Sequence, residues 1–165
     1  MEIAQAQTYF AIQTRKQEIF DQLNEDQKRL KIREEVSVHN KKLFETAQNS
    51  GVINFAEFND AGYLGLYGMR NKEIAKKKKL GKHSLLDRAG ATELAANLFR
   101  ITQTDEQLDS QSVDSQTHSE KIHFMVGGKI RQTIKDIGGT MPEELPPQKH
   151  IKEIEKQSKK LSNSP

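Results

Sequence analysis

A chain of 165 residues with 34% hydrophobic, 6% aromatic and 30% charged residues and a mean hydropathy of −0.80 suffices for one domain with tails, and has little apolar surface for a thick core. It contains no cysteine, which excludes disulfides, thiolate nucleophiles and thiolate metal sites, and no apolar run approaches the ~20 residues that span a bilayer. The net charge of +3 is unevenly spread: Arg70–His83 sets seven cations against one carboxylate, whereas Ile101–Glu120 holds five carboxylates and no Lys or Arg. The expectation is a cytoplasmic, all-α protein: an elongated helical assembly with a long N-terminal helix or helix pair, short helices and a flexible acidic loop.

Residues 1–49 contain neither Gly nor Pro, which predicts one long helix or two end to end. Tyr9, Ile12, Lys16, Ile19, Leu23, Asp26 and Leu30 alternate three- and four-residue steps, a coiled-coil-like seam through which the chain is expected to form a homo-oligomer. Val36, Leu43 and Ala47 do not line up with that seam, which predicts a bend near residues 31–36. Glu25 and Arg29 form an i, i+4 pair. Asn49-Ser50-Gly51 is a stop signal, and Asn54 caps a short helix carrying Phe55 and Phe58. Gly62, Gly65 and Gly68 then recur every third residue among Tyr63, Leu64, Leu66 and Tyr67, which predicts a tight apolar turn packed on a helix. Asn71 caps a basic helix to Leu80, ended by Gly81. A short turn follows from Ser84 through Leu85, Leu86 and Arg88 to Gly90.

Ala91–Leu108 is the best short helix in the sequence. Thr92 is its predicted N-cap, and Glu93 places an acid where the helix dipole favours one. Leu94, Ala95, Leu98, Ile101 and Leu108 form the predicted buried stripe, while Glu93, Asn97, Arg100, Gln103 and Thr104 cover most of the other side. Asp109–Thr117 reads as a flexible acidic loop. Ile122, Val126, Ile130, Ile134 and Ile137 return to helical spacing over 119–137. Gly127-Gly128 in their midst requires either a close helix crossing or a break, since each Gly costs ~1 kcal/mol against Ala. Gly138-Gly139 ends this helix. We place the helical domain at 1–147 and a weakly helical or disordered tail at 148–165.

No catalytic residue, metal site or cofactor emerges from the sequence. His118 and His123 are five apart, missing the i, i+4 spacing by which one helix face offers two imidazoles to an ion. There is no Gly-x-Ser-x-Gly elbow, and Gly127-Gly128-Lys129-Ile130 lacks the Ser/Thr and first Gly of a phosphate-binding loop. The carboxylate pairs Glu34-Glu35, Asp105-Glu106 and Glu143-Glu144 are sequence neighbours that diverge on a helix. The candidate binding residues are Arg70, Lys72, Lys76, Lys77, Lys78, Lys79, Lys82 and His83. Four consecutive lysines fan over a full helical turn, so the segment is either a solvated helix end or a contact for phosphates or an acidic protein surface. A helix-turn-helix fits poorly, because Gly81 lies six residues after Ala75 rather than four.

Four runs carry a resemblance. They are Gln7–Arg15; Tyr63-Leu64-Gly65-Leu66-Tyr67-Gly68; Ala91–Leu108 with Asn97 and Arg100 at its heart; and Gly138-Gly139-Thr140-Met141-Pro142-Glu143-Glu144-Leu145-Pro146. In order and rough spacing they resemble the DNA-damage-inducible protein D family of bacteria. Family members resemble phage antirepressors at the front, in a BRO-type domain, and this chain is expected to correspond to the C-terminal region without that domain. The resemblance implies a non-enzymatic protein of the SOS response that acts on DNA or on a recombinase–DNA filament. It marks Tyr63, Gly65, Tyr67, Gly68, Asn97 and Arg100 as motif residues. Packing does not require Asn97 and Arg100, which are the first places to look for a buried hydrogen bond or a partner contact.

Overall fold

Asn24, rather than a glycine or proline, divides the N-terminal region. The structure, a computed structural model, describes residues 7, 8, 11–17 and 24–163. Asn24 accepts a hydrogen bond from the Gln27 amide, and the Gln27 side chain accepts one from the Asn24 amide. This capping box starts α1, Glu25–Asn49. The bend expected near 31–36 is absent, because α1 runs through it. Its buried residues are Arg29, Ile32, Val36, Leu43 and Ala47. The apparent change of phase arose from reading Leu30, where the buried stripe begins with Arg29. Residues 11–17 are also helical; Tyr9, Ile19 and Leu23 of the seam lie outside the described residues.

The chain continues through α2 (Phe55–Tyr67), α3 (Asn71–Lys77), α4 (Ala91–Ser110), α5 (Gln116–Asp136), a 3₁₀ turn at Pro142–Glu144, and α6 (Ile151–Ser162). Among the described residues every regular element is helical, as the composition predicted. Two helix pairs dominate: α2 packs on α5 and α1 on α4, and α4 contacts α5 to join them. One apolar cluster runs through both pairs, with Val36, Phe58, Leu66, Leu94, Ile101, Leu108 and Val126 among its members.

The glycine-rich run is α2 itself, not an apolar turn. A Cβ on Gly65 would collide with the Phe124 carbonyl oxygen and lie 2.9 Å from the Gly128 amide. A Cβ on Gly127 would lie 2.7 Å from the Gly62 carbonyl oxygen. Glycine's helix-weakening effect is outweighed here by backbone contact between α2 and α5, the close-crossing alternative for Gly127. Gly128 differs, since a Cβ there would meet nothing within 4 Å. Gly128→Ala should therefore raise stability by about 0.4–1 kcal/mol, read as a higher urea midpoint; a loss would mean that a Cβ at residue 128 also meets a neighbour.

Other departures follow from local chemistry. The acidic loop narrows to 111–115, with α4 reaching Ser110 and α5 starting at Gln116. Buried Val113 holds that short link to the core, and Ser115 caps α5 by accepting from the His118 amide. The N-cap of α4 is Gly90, not Thr92. Its missing side-chain cap is supplied by Glu25, whose Oε1 accepts from the Ala91 amide at 3.0 Å. Glu25 thus serves α4 and favours the Arg29 cation through its charge, with no direct ion pair between them. The Arg29 guanidinium donates to the carbonyls of Ala89, Asp87 and Lys149 at 2.9, 3.3 and 2.7 Å. The tail contains α6, whose Ile151 and Ile154 are buried and which packs on α1.

Candidate functional site

Helix α3 owes its short length to its end. Glu73 accepts from the Arg70 amide and Asp60 from the Asn71 amide, which satisfies the first turn. The helix stops at Lys77 rather than Leu80. Lys79 adopts a left-handed φ of 55°, with its amide bonded to the Lys76 carbonyl and the Leu80 amide to that of Ala75. This is a Schellman ending with lysine in the position glycine usually takes. It buries Leu80 and turns successive lysines in different directions. The next helix starts only at Ala91, so the second helix of a helix-turn-helix is absent.

The eight candidate residues separate into groups. Arg70 pairs with Glu57 at 3.4 Å and approaches Asp60 at 3.9 Å. Lys77 pairs with Glu144 at 3.1 Å. Lys78 turns inward, its side chain 3% exposed. Lys72, Lys76, Lys79 and Lys82 are exposed and form no ion pair among the described residues. His83 accepts at Nδ1 from Arg88 at 2.9 Å, and its ring lies edge-on to that of His150 with centroids 4.8 Å apart. The positive segment of the sequence thus keeps four exposed lysines without ion pairs among the described residues.

The inward lysine joins a buried polar network that holds the motif residues. Lys78 Nζ donates to both carboxylate oxygens of Glu93 at 2.9 and 3.0 Å and to the Leu145 carbonyl at 2.8 Å. The Tyr67 hydroxyl donates to Glu93 at 2.7 Å and accepts from the Asn97 amide group at 2.9 Å. Arg100 donates to Asn97 Oδ1 at 3.1 Å and to His123 Nε2 at 2.6 Å. Arginine can only donate, so the His123 proton sits on Nδ1 and is given to the Phe58 carbonyl at 2.8 Å. The Arg100 guanidinium also lies over the Tyr63 ring, 4.9 Å from its centroid. Gly62 leaves room for the imidazole, since a Cβ there would collide with it. Gly68 closes α2 in the left-handed region at φ 74°. Beside it Arg131 donates to the Leu66 carbonyl and makes a bidentate pair with Glu143 at 2.7 and 2.6 Å. The 138–146 motif is thereby strapped across the end of α2.

Burial governs the electrostatics. It raises the Glu93 carboxyl above its usual range, opposed by the Tyr67 and Lys78 hydrogen bonds. Burial and the charge of Glu93 hold the Tyr67 hydroxyl well above its ordinary value, so it stays a donor. Burial, then Arg100, pushes His123 well below 6.5. Both ring nitrogens of His123 and both oxygens of Glu93 are engaged, and neither side chain reaches solvent. The network ties α2, α4 and α5 together through buried hydrogen bonds, and the Arg100 Nε is its one buried side-chain atom without a hydrogen-bond partner among the described residues.

The low His123 value has a sign in pH. The unfolded chain takes up a proton near pH 6.5 that the native imidazole refuses, so this contribution is full above about 6.5 and declines as the pH falls below it. The decline approaches about 1.4 kcal/mol per pH unit. Glu93 acts oppositely, since a raised carboxyl favours the native state at acid pH. Urea midpoints of the wild type and His123→Gln between about pH 7 and pH 5 separate the two. The wild type should lose stability relative to the variant as the pH falls; parallel curves would mean that His123 protonates in the native state.

Sequence reasoning placed Glu93, Asn97, Arg100 and Thr104 outside, yet they are 1%, 0%, 2% and 0% exposed. Their spacing of four, three and four residues was the available signal: a polar stripe as regular as the apolar one beside it. Leu98 is only partly buried, and Phe99 is 54% exposed. Asn97 and Arg100 resolve as buried hydrogen-bonding residues, one of the two roles expected of them.

Among the described residues no group of three or more His, Asp or Glu is placed to hold a metal ion, and no helix is long and apolar enough to cross a membrane. A family model described as the DinD C-terminal domain matches residues 23–154. The chain is 54% identical over 164 residues to the DNA damage-inducible protein D of Escherichia coli strain K12, covering 93% of this chain and 60% of that protein. It therefore spans about three-fifths of the length of the curated relative it matches.

Proposed function

Because this chain belongs to the DinD C-terminal domain family, we propose that it is a non-catalytic, cytoplasmic module of the bacterial SOS response to DNA damage. It meets the phosphate backbone of DNA, free or within a recombinase–DNA filament, through Lys72, Lys76, Lys79 and Lys82. The observation that carries this reading is the exposure of these four lysines without ion pairs, while Arg70, Lys77 and Lys78 are each matched by carboxylates. Such contacts give affinity without base choice, because phosphates carry no sequence information.

The test is binding of single- and double-stranded DNA over a salt series. The variant is the Lys72, Lys76, Lys79, Lys82→Ala quadruple; Lys78 is spared because its loss would disturb the core. If each lysine neutralises one phosphate, the quadruple should flatten the duplex salt slope by about 3–4. Superimposable curves would remove these lysines from the mechanism.

A second reading is a structural or oligomerisation module with no nucleic-acid contact. Its support is the interior placement of the motif residues, since Tyr67, Asn97 and Arg100 hold helices together. A concentration-independent monomer in sedimentation would count against association through the 9–30 seam.

A further inference from the structure

The exposed lysines do not end at Lys82. The ring contact between His83 and His150 sets the N-terminus of α6 beside the Lys82–His83 turn. From there α6 carries Lys152, Lys156, Lys159 and Lys160. At 100° per residue these four fall within an arc of about 100°, with Ile154 and Leu161 on the opposite side. Ile151 and Ile154 are 4% and 3% exposed and bind α6 to the rest of the fold. From residue 155 to residue 163 every position is exposed. Lys152, Lys156 and Lys159 form no ion pair among the described residues.

We infer that α6 is a second nucleic-acid contact, a lysine-faced arm that takes the phosphate backbone onward from the Lys72–Lys82 segment. The inference rests on the proposed DNA-binding reading and extends it to a helix that the sequence left as a weak tail. Lys152 to Lys159 spans about 10 Å along the helix axis, enough to follow consecutive phosphates of one strand. Anionic lipid is the weaker match, because a surface-lying membrane helix buries its apolar face in the bilayer. Here Ile151 and Ile154 already occupy the protein interior.

The experiment uses the full chain and fluorescein-labelled duplex and poly-dT probes, titrated at several salt concentrations. Variants are Lys152, Lys156, Lys159→Ala, the corresponding triple Arg variant, and the Lys72, Lys76, Lys79, Lys82→Ala quadruple, with unfolding curves to show that each is folded. The inference expects the α6 alanine triple to flatten the duplex salt slope by about 2.7 and the arginine triple to restore it. An α6 triple that binds like the wild type while the quadruple loses affinity would overturn the α6 inference and leave the DNA-binding reading standing. A folded wild type that binds neither probe at low salt would overturn both. Binding to phosphatidylserine vesicles but not to DNA would likewise overturn both and assign the stripe to a membrane surface.

Discussion

Replacing Lys78 by methionine is expected to destabilise the protein by about 3–5 kcal/mol, the usual cost of breaking a buried ion pair from one side. The side chains of Lys78 and Glu93 are 3% and 1% exposed, so water cannot replace the lost ammonium. Glu93 would keep only the Tyr67 hydroxyl as a side-chain donor, and the Leu145 carbonyl would lose the Lys78 ammonium. The urea midpoint of Lys78→Met measures the loss. The double variant Lys78→Met, Glu93→Gln should recover part of it, because the stranded charge is then gone. A loss below about 1 kcal/mol in the single variant would mean that the pair is solvated and contributes as little as a surface bridge. The result also bears on the lysine run: an alanine block over all four lysines would confuse unfolding with lost binding.

Gly65→Ala should also be damaging, by about 1–3 kcal/mol or more. Alanine normally favours a helix by ~1 kcal/mol over glycine. Here the added methyl would run into the Phe124 carbonyl of α5, a backbone atom that moves only if the helices separate. Overpacking of this kind ordinarily costs 1–3 kcal/mol, occasionally more. Separation would also stretch the hydrogen bond between His123 and the Phe58 carbonyl, which spans the same two helices. Thermal or urea unfolding of Gly65→Ala beside Gly128→Ala makes the comparison internal. Two glycines on facing helices should respond with opposite signs, and a neutral or stabilising Gly65→Ala would show that α2 and α5 do not touch by their backbones.

The elements that were legible are those whose signals are local. Asn54 caps α2, Asn49-Ser50-Gly51 ends α1, and the spacing of Ile122, Val126 and Ile130 marks the buried face of α5, whereas Ile134 is only partly buried and Ile137, past the helix end, is exposed. The errors share another cause. Glu93, Arg100 and Lys78 carry charges that ordinarily face water, so a reading by polarity puts them outside. Their partners lie on other helices: Tyr67 on α2, His123 on α5, and the Leu145 carbonyl beyond the 3₁₀ turn. A polar stripe on one helix looks identical whether water or another helix satisfies it. Arg29 shows the same ambiguity, because its three acceptors are main-chain carbonyls with no sequence signature.

The sequence by itself determined an all-helical chain, the end of α1, the cap of α2 and the family, because periodicity, capping residues and motif runs are properties of neighbouring residues. Only the tertiary structure decided which lysines face outward, why α2 tolerates its glycines, and that the motif residues form a buried hydrogen-bonded network. Those outcomes depend on which helices approach one another and how closely. Burial makes an ion pair necessary and a methyl group intolerable, and burial is a property of the whole fold.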